Sequence, residues 1–392
     1  MTLDLNAVRA QFPSLATTDE GVRRIDLDNP AGTQVPDLVV QRMSDCLIDA
    51  NATLGGHFRT AELAGDVVDD ARVAMADFLN APSADEITFG QNMTTLTLHL
   101  SRSIGRYLNA GDEIILSKME HDANVAPWLL MARDHDLEIR WLPFNTETFE
   151  FDEDALDQVL SDRTRLFCIG GASNLTGTIN DIKTMCGKAR DAGAWSFVDA
   201  VQLAPHVLPD VQDYGCDFFT CSAYKFFGPH QGVLWARSDV YGVLEPYKVR
   251  PAPEELPWRF ETGTQSHEGM AGTGAAIDYF AGVGASLAAS ENRRGNLRSA
   301  FSAMFDYEKD LTQQLIAGLQ NIAGVKIQGI SDVDALDRRV PTVSFTHDKH
   351  APEGIARALG ERNIFVWNGH NYGYEPVKAL GLLDSGGVVR VG

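Results

Sequence analysis

The chain opens Met1-Thr-Leu-Asp-Leu-Asn, without the basic region and apolar run of an export signal, and no long charge-free apolar stretch occurs further on. We therefore expect a cytoplasmic protein with no membrane partner. Cysteine is scarce: Cys46, Cys168, Cys186, Cys216 and Cys221 are five in 392 residues, an odd number in mostly apolar settings. They read as reduced core thiols, not as a disulfide frame or a metal site. No CxxC, HExxH or P-loop pattern occurs, and no strand is followed by GxGxxG, so neither a metal centre nor a nucleotide-binding oxidoreductase is expected. Positive charge is short as well. The 33 Lys and Arg stand against 54 Asp and Glu, and a net charge of -21 argues against nucleic acid or an anionic membrane as partner.

The chain is long enough for two or three domains and a large core. Its organising stretch is Cys216-Asp-Phe-Phe-Thr-Cys-Ser-Ala-Tyr-Lys225-Phe-Phe-Gly-Pro229. An apolar, aromatic run reads as a buried strand, and Gly228-Pro229 ends the short segment after it. Lys225 sits between Tyr224, Phe226 and Phe227. A desolvated ammonium loses its proton more readily, and a neutral amine beside a carbonyl forms a Schiff base. Lys225 is therefore a candidate covalent anchor for pyridoxal phosphate, or a surface lysine just past a strand end.

Upstream, strands at 87–89, 113–116, 138–142, 165–170 and 195–198 alternate with helices, including ones expected over 35–52, 60–80 and 152–160. That alternation implies a mostly parallel sheet with helices on both faces, whose ligands bind at the carboxyl ends of strands. Thr94, His121, Asn174, Asp199 and Ser222 all fall at or just after such ends. A helical stretch over 271–318 and a smaller α/β region, with strands expected at 325–328, 342–345, 364–367 and 388–391, come after the lysine. We expect an arm at 1–20, a large cofactor domain at 21–270 and a small domain at 271–392.

A pyridoxal phosphate site needs a lysine, a carboxylate for the pyridine nitrogen, a flat ring over the cofactor and donors for its phosphate. Asp199 is placed for the nitrogen, and His121 for stacking and proton transfer. Thr94, Thr95 and Ser222 suit the phosphate, at a helix start rich in free N–H groups. Asn174 and Gln202 suit the phenolic oxygen. Asn29 and Thr33 either line a site or only shape their turn.

With those pieces in view, the chain resembles fold-type I pyridoxal phosphate enzymes of the class V aminotransferase group. Within it the chain is most similar to the cysteine desulfurase and selenocysteine lyase branch. The resemblance rests on Leu27-Asp-Asn-Pro-Ala-Gly-Thr33, Met93-Thr-Thr95, Glu120-His-Asp-Ala-Asn-Val-Ala-Pro-Trp128 and Ser173-Asn-Leu-Thr-Gly-Thr-Ile-Asn180. It continues through Val198-Asp-Ala-Val-Gln202, Ser222-Ala-Tyr-Lys-Phe-Phe-Gly-Pro229, Phe260-Glu-Thr-Gly-Thr264 and Val389-Arg-Val-Gly392, in the family's order. It implies Lys225 as the Schiff-base lysine, Asp199 as the pyridinium partner and His121 as the stacked ring. It implies a homodimer in which Thr264 reaches the phosphate of the neighbouring subunit. Arg390 is implied to bind the substrate α-carboxylate, a pairing that suits a fork of donors. The family usually runs through another helix past the position of Gly392.

Two departures matter. Tyr224 stands where the family has His before the lysine, and a phenol can still donate to phosphate. In Val366-Trp-Asn-Gly-His370-Asn-Tyr372-Gly, Tyr372 stands where the desulfurases carry the cysteine that takes the substrate sulfur, and no cysteine occurs after Cys221. Trp367, Asn368, His370 and Tyr372 shape the substrate pocket or merely pack the loop. The expected activity is Cα deprotonation and β-elimination, of C–S lyase type, on a cysteine-like or β-substituted amino acid. An aminotransferase or an amino-acid epimerase shares its first step, and a non-catalytic binding protein on the same fold is the alternative from another class.

Overall fold

A computed structural model describes residues 3–392. Seven strands form the large sheet: β1 (Ile87–Gly90), β2 (Glu113–Ser117), β3 (Glu138–Leu142), β4 (Thr164–Gly170), β5 (Trp195–Asp199), β6 (Phe218–Ser222) and β7 (Gly232–Ala236). Their order is β1-β7-β6-β5-β4-β2-β3. β2 runs parallel to β3 and β4, and β4 parallel to β5, while β7 is antiparallel to β1 and β6. The sequence explains the burial. Ile114-Ile-Leu116, Leu166-Phe-Cys-Ile169 and Phe218-Phe219 are continuous apolar runs with no exposed side, as strands covered on both faces require.

The chain divides into two compact units. One holds the residues up to Leu15, Thr33–Tyr107 and Val207–Met304; the other holds Ala16–Gly32, Leu108–His206 and Phe305–Gly392. In the first, helices α1 (Asp37–Asp49) and α2 (Arg59–Leu79) pack on α6 (His267–Leu287), and α3 (Met93–Tyr107) comes after β1. Pro36 sets the start of α1, and Asn80, at φ +55°, ends α2. In the second unit, α4 (Ala126–His135) and α5 (Ile182–Asp191) flank β2, β3, β4 and β5 along the chain. Asp181 caps α5 by accepting from Thr184 N at 3.1 Å. A four-stranded antiparallel sheet completes this unit, with β8 (Val325–Ile327), β9 (Val343–His347), β10 (Trp367–Gly369) and β11 (Val388–Val391) in the order β8-β9-β11-β10.

Three expectations need correction. Residues 152–160 are a run of turns, not a helix, with only Ala155 and Leu156 buried; so short a segment with so little to bury does not propagate a helix. The single helical stretch over 271–318 is two helices, α6 and α7 (Arg293–Gln320). They part at Ser290, whose N–H donates to the Asn296 side chain at 2.7 Å. The strand expected near 364–367 is split, with Ile364–Phe365 pairing in parallel with Ile25–Asp26 and Trp367–Gly369 joining β11.

Candidate active site

The first unit carries the lysine and the helix start. Lys225 ends a 3-10 turn (Ala223–Lys225) directly after β6. Gly228 makes the tight return possible: its N–H donates to Ala223 O at 2.8 Å, and a Cβ there would stand 2.7 Å from the Ala223 Cβ. Thr33 clamps the turn from outside. Its N–H and hydroxyl donate to Tyr224 O at 2.9 and 3.2 Å, and its hydroxyl accepts from Phe227 N at 2.9 Å. Of the three flanking aromatics, Tyr224 lies by the amine, with Nζ 5.2 Å from the ring centroid. Phe226 packs on Phe78 and Phe227 on Phe280, both in the core. Lys225 is half-buried rather than fully desolvated, because the two phenylalanines anchor the turn.

Ser222, the last residue of β6, accepts from Met93 N at 3.4 Å, the first N–H of α3. Asn92 caps the same helix by accepting from Thr95 N at 2.9 Å, while the Thr95 hydroxyl donates to Asn92 O. Thr94 and Thr95 are exposed at this helix start. Gly232, paired with Ser222, lets the cap approach: a Cβ there would fall 2.3 Å from the Asn92 carbonyl carbon. Thr264 is exposed elsewhere in this unit, lining a cavity of ≈ 130 Å³ with Arg72, Trp258 and His267. Tyr224 stacks on His230 at 5.1 Å.

The second unit carries the carboxylate and most of the remaining candidates. Asp199 ends β5, 6% exposed, and its Oδ1 accepts from Val201 N at 2.9 Å. Gln202 and Asn174 are buried. Gln202 Nε2 donates to Thr342 Oγ1 at 2.8 Å, and Asn174 Nδ2 to Asn371 O at 2.8 Å, leaving Gln202 Oε1 and Asn174 Oδ1 without partners. Arg390, on β11, is also buried. It donates to Asn174 O at 3.2 Å and lies 3.6 Å from Asp28, while its Nε has no partner. Burial lowers its pKa to about 10, with Asp28 opposing the fall. It stays charged at neutral pH. Asn29 uses its amide on the carbonyls of Gly392 and Asp26, at 2.9 and 3.3 Å.

His121 caps the turn Asp122–Asn124, its Nδ1 accepting from Ala123 N at 3.0 Å. That bond places the proton of the neutral imidazole on Nε2. Tyr372 lies against it, ring centroids 5.6 Å apart and 21° from parallel. Tyr372 O accepts from Asp122 N at 2.7 Å, and Tyr372 N donates to exposed His370 Nδ1 at 3.0 Å. The turn bends through Asn371 and Tyr372, at φ +52° and +58°, and leaves Tyr372 66% exposed. All five cysteines, by contrast, are buried.

Two roles are not visible in the sequence. Thr33 reads there as a residue of its own turn or of a site, whereas it holds the lysine turn, 192 positions further along. Glu120, beside His121, is 1% exposed and accepts from Asn124 Nδ2 at 2.6 Å, Gly170 N at 2.8 Å and the Ser117 hydroxyl. Its local partners Ser117 and Asn124 give no sign that the carboxylate is buried; the third, Gly170 N, comes from another strand fifty positions away.

This mostly parallel sheet, with a buried carboxylate ending one strand and a lysine turn directly after another, is the fold of type I pyridoxal phosphate enzymes. The chain belongs to the class V aminotransferase family, whose model matches residues 25–392. It is 32% identical over 387 residues to the cysteine desulfurases of Yersinia pestis (strain Pestoides F) and Yersinia pseudotuberculosis (serotype O:3), covering 95% of this chain and 89% of each relative. A cysteine desulfurase from Thermococcus onnurineus NA1 superposes with a TM-score of 0.87 at 25% identity, over 100% of this chain and 93% of that one. The cysteine desulfurase CsdA of Escherichia coli shares the fold, with a TM-score of 0.84 at 24% identity, over 100% and 94% of the two chains. The chain is an enzyme of this cysteine desulfurase-like group. Among the described residues no helix is long and apolar enough to cross a membrane.

Proposed function

We propose that the chain is a pyridoxal phosphate enzyme that removes the α-proton of an amino acid and eliminates its β-substituent, instead of passing sulfur to a protein thiol. The cofactor's fit rests on the chemistry of the donor set. Gln202 and Asn174 each hold a buried amide with one end unmatched. Turning the Gln202 amide by 180° gives Thr342 the oxygen and frees the NH2 for a phenolic oxygen. Ser222, Thr94 and the N–H groups opening α3 are matched to a phosphate, and the buried Arg390 Nε to a carboxylate.

When bound, pyridoxal phosphate supplies an electron sink for the charge left at Cα. Lys225 Nζ holds the cofactor and takes the Cα proton. Asp199 keeps the ring nitrogen protonated, and His121 covers the ring, its neutral imidazole carrying the proton on Nε2. Arg390 orients the α-carboxylate. The β-substituent leaves as its anion, and hydrolysis of the three-carbon remainder gives pyruvate and ammonia. A homodimer in which Thr264 reaches the neighbouring phosphate, and a cytoplasmic location matching five reduced thiols, complete the reading.

The observation that carries it away from sulfur transfer is Tyr372. Its exposed aromatic ring is stacked on His121, each thiol of the chain is in the core, and we read the ring as standing where a desulfurase carries its sulfur acceptor. Two linked measurements test the proposal. Borohydride should bleach a yellow protein and fix the cofactor to Lys225 by mass, and Lys225→Ala should give neither. With L-cysteine the expected products are pyruvate, ammonia and sulfide; alanine as the main product would refute elimination.

A further inference from the structure

We propose that Glu120 is a positioning residue through which cofactor binding is coupled to the release of a proton. The inference rests on the pyridoxal phosphate reading above.

The Glu120 carboxyl is surrounded by donors. Gly170 N, Asn124 Nδ2 and the Ser117 hydroxyl all point their hydrogens at it, and Ser117 Oγ already accepts from Met119 N at 3.1 Å. Three donors with no matching acceptor are the signature of an ionised carboxylate. The bonds tie the ends of β2 and β4 to the turn that presents His121, the next residue.

Its neighbour across the sheet is Asp199. Gly170 and Asp199 are partners in the parallel register of β4 and β5. Partnered residues point to the same sheet face, and a Cβ at Gly170 would lie 3.1 Å from Glu120 Oε2. The glycine therefore leaves room for Glu120 on the face that carries Asp199. Two groups facing Glu120 titrate, Asp199 from β5 and Cys168 from β4. Burial pushes the Cys168 thiol well up, so it stays neutral. Ser117, Asn124 and Gly170 carry no charge.

Burial raises the Glu120 pKa to about 7, its three donors opposing and Asp199 adding to the rise. A cationic ring nitrogen engaged by Asp199 turns that neighbourhood favourable to the ionised form. Above pH 7 Glu120 is already ionised and its contribution to affinity is flat. Below pH 7 binding must expel its proton, so affinity falls by up to tenfold per pH unit from this group alone.

The test is the dissociation constant of pyridoxal phosphate for the full chain, stripped of cofactor, measured by absorbance from pH 6 to 8.5. Glu120→Gln should lose up to one decade per pH unit of the wild-type slope below pH 7. Ser117→Ala removes one donor to the carboxylate and should move the midpoint to higher pH; it decides the matter if the glutamine variant does not fold. Unchanged slope and midpoint in the variants overturn this inference alone. A wild-type chain that binds no pyridoxal phosphate overturns the proposed function, and this inference with it.

Discussion

Replacing Arg390 with methionine should make the protein more stable and nearly inactive. The side chain is 4% exposed, and burial brings its pKa down from the ordinary guanidinium range to about 10. That gap corresponds to about 3 kcal/mol held against the folded, charged form. Methionine fills similar space without a charge to desolvate. What is lost besides is one hydrogen bond to Asn174 O, ~1 kcal/mol, because the 3.6 Å pairing with Asp28 is already part of the lowered pKa. The net is a gain of about 2 kcal/mol. The sign comes from a cation with a lowered pKa: the burden is present below pH 10 and lifts only as pH rises past it. Catalysis moves the other way. A guanidinium that grips a carboxylate makes charge-assisted bonds of about 1.5–3 kcal/mol each, so kcat/KM should fall ~10²- to 10⁴-fold. Thermal denaturation and steady-state kinetics on one preparation read both effects. A lowered melting temperature would refute the burial argument, and a change in kcat/KM below tenfold would remove Arg390 from substrate binding.

Two further substitutions probe the two units separately. Gly232→Ala drives a methyl into the Asn92 backbone, where no side chain can yield. It should cost ~1–3 kcal/mol in chemical denaturation and weaken cofactor phosphate binding, since the start of α3 shifts from Ser222. Tyr372→Ala removes the ring stacked on His121 and should lower kcat/KM roughly three- to tenfold, from ~0.5–1.5 kcal/mol of stacking. Tyr372→Phe should stay near wild type; if it matches the alanine variant, the hydroxyl and not the ring is what matters.

The strand ends are the most legible part of this molecule. Asp199, Ser222 and Asn174 can be located because a parallel sheet places its ligand groups after its strands, and apolar runs mark those strands clearly. Lys225 draws attention by its flanks, yet the flanks mislead in detail. A sequence cannot say which way a side chain turns: Phe226 turns into the core and Phe227, half-buried, packs on the buried Phe280. Residues 152–160 have helical spacing, but the surface they would cover is too small to hold a helix there. Glu120 is illegible for a different reason. Ser117 and Asn124 are near it in sequence, but Gly170 joins only once β2 and β4 are in register, and it is that strand end which closes the carboxylate into the interior.

The unmatched polar atoms of the second unit carry an argument of their own. Gln202 Oε1, Asn174 Oδ1, Asn371 Oδ1 and Arg390 Nε are all buried without partners. Elsewhere in that unit buried charge is met: Glu113 accepts from Arg163 at 2.6 Å and Ser161 at 2.7 Å. Each unmatched group costs the fold ~1–3 kcal/mol, a burden that random placement would spread among the loops. Asn174 joins two of the others in direct contact, accepting from Arg390 at its carbonyl and donating to the Asn371 carbonyl. A cluster of unmet groups linked in this way is unfavourable in isolation and favourable with a ligand that supplies the missing partners. The same groups that lower stability are thus the ones able to return it on binding, which is why the Arg390 variant should separate stability from substrate affinity.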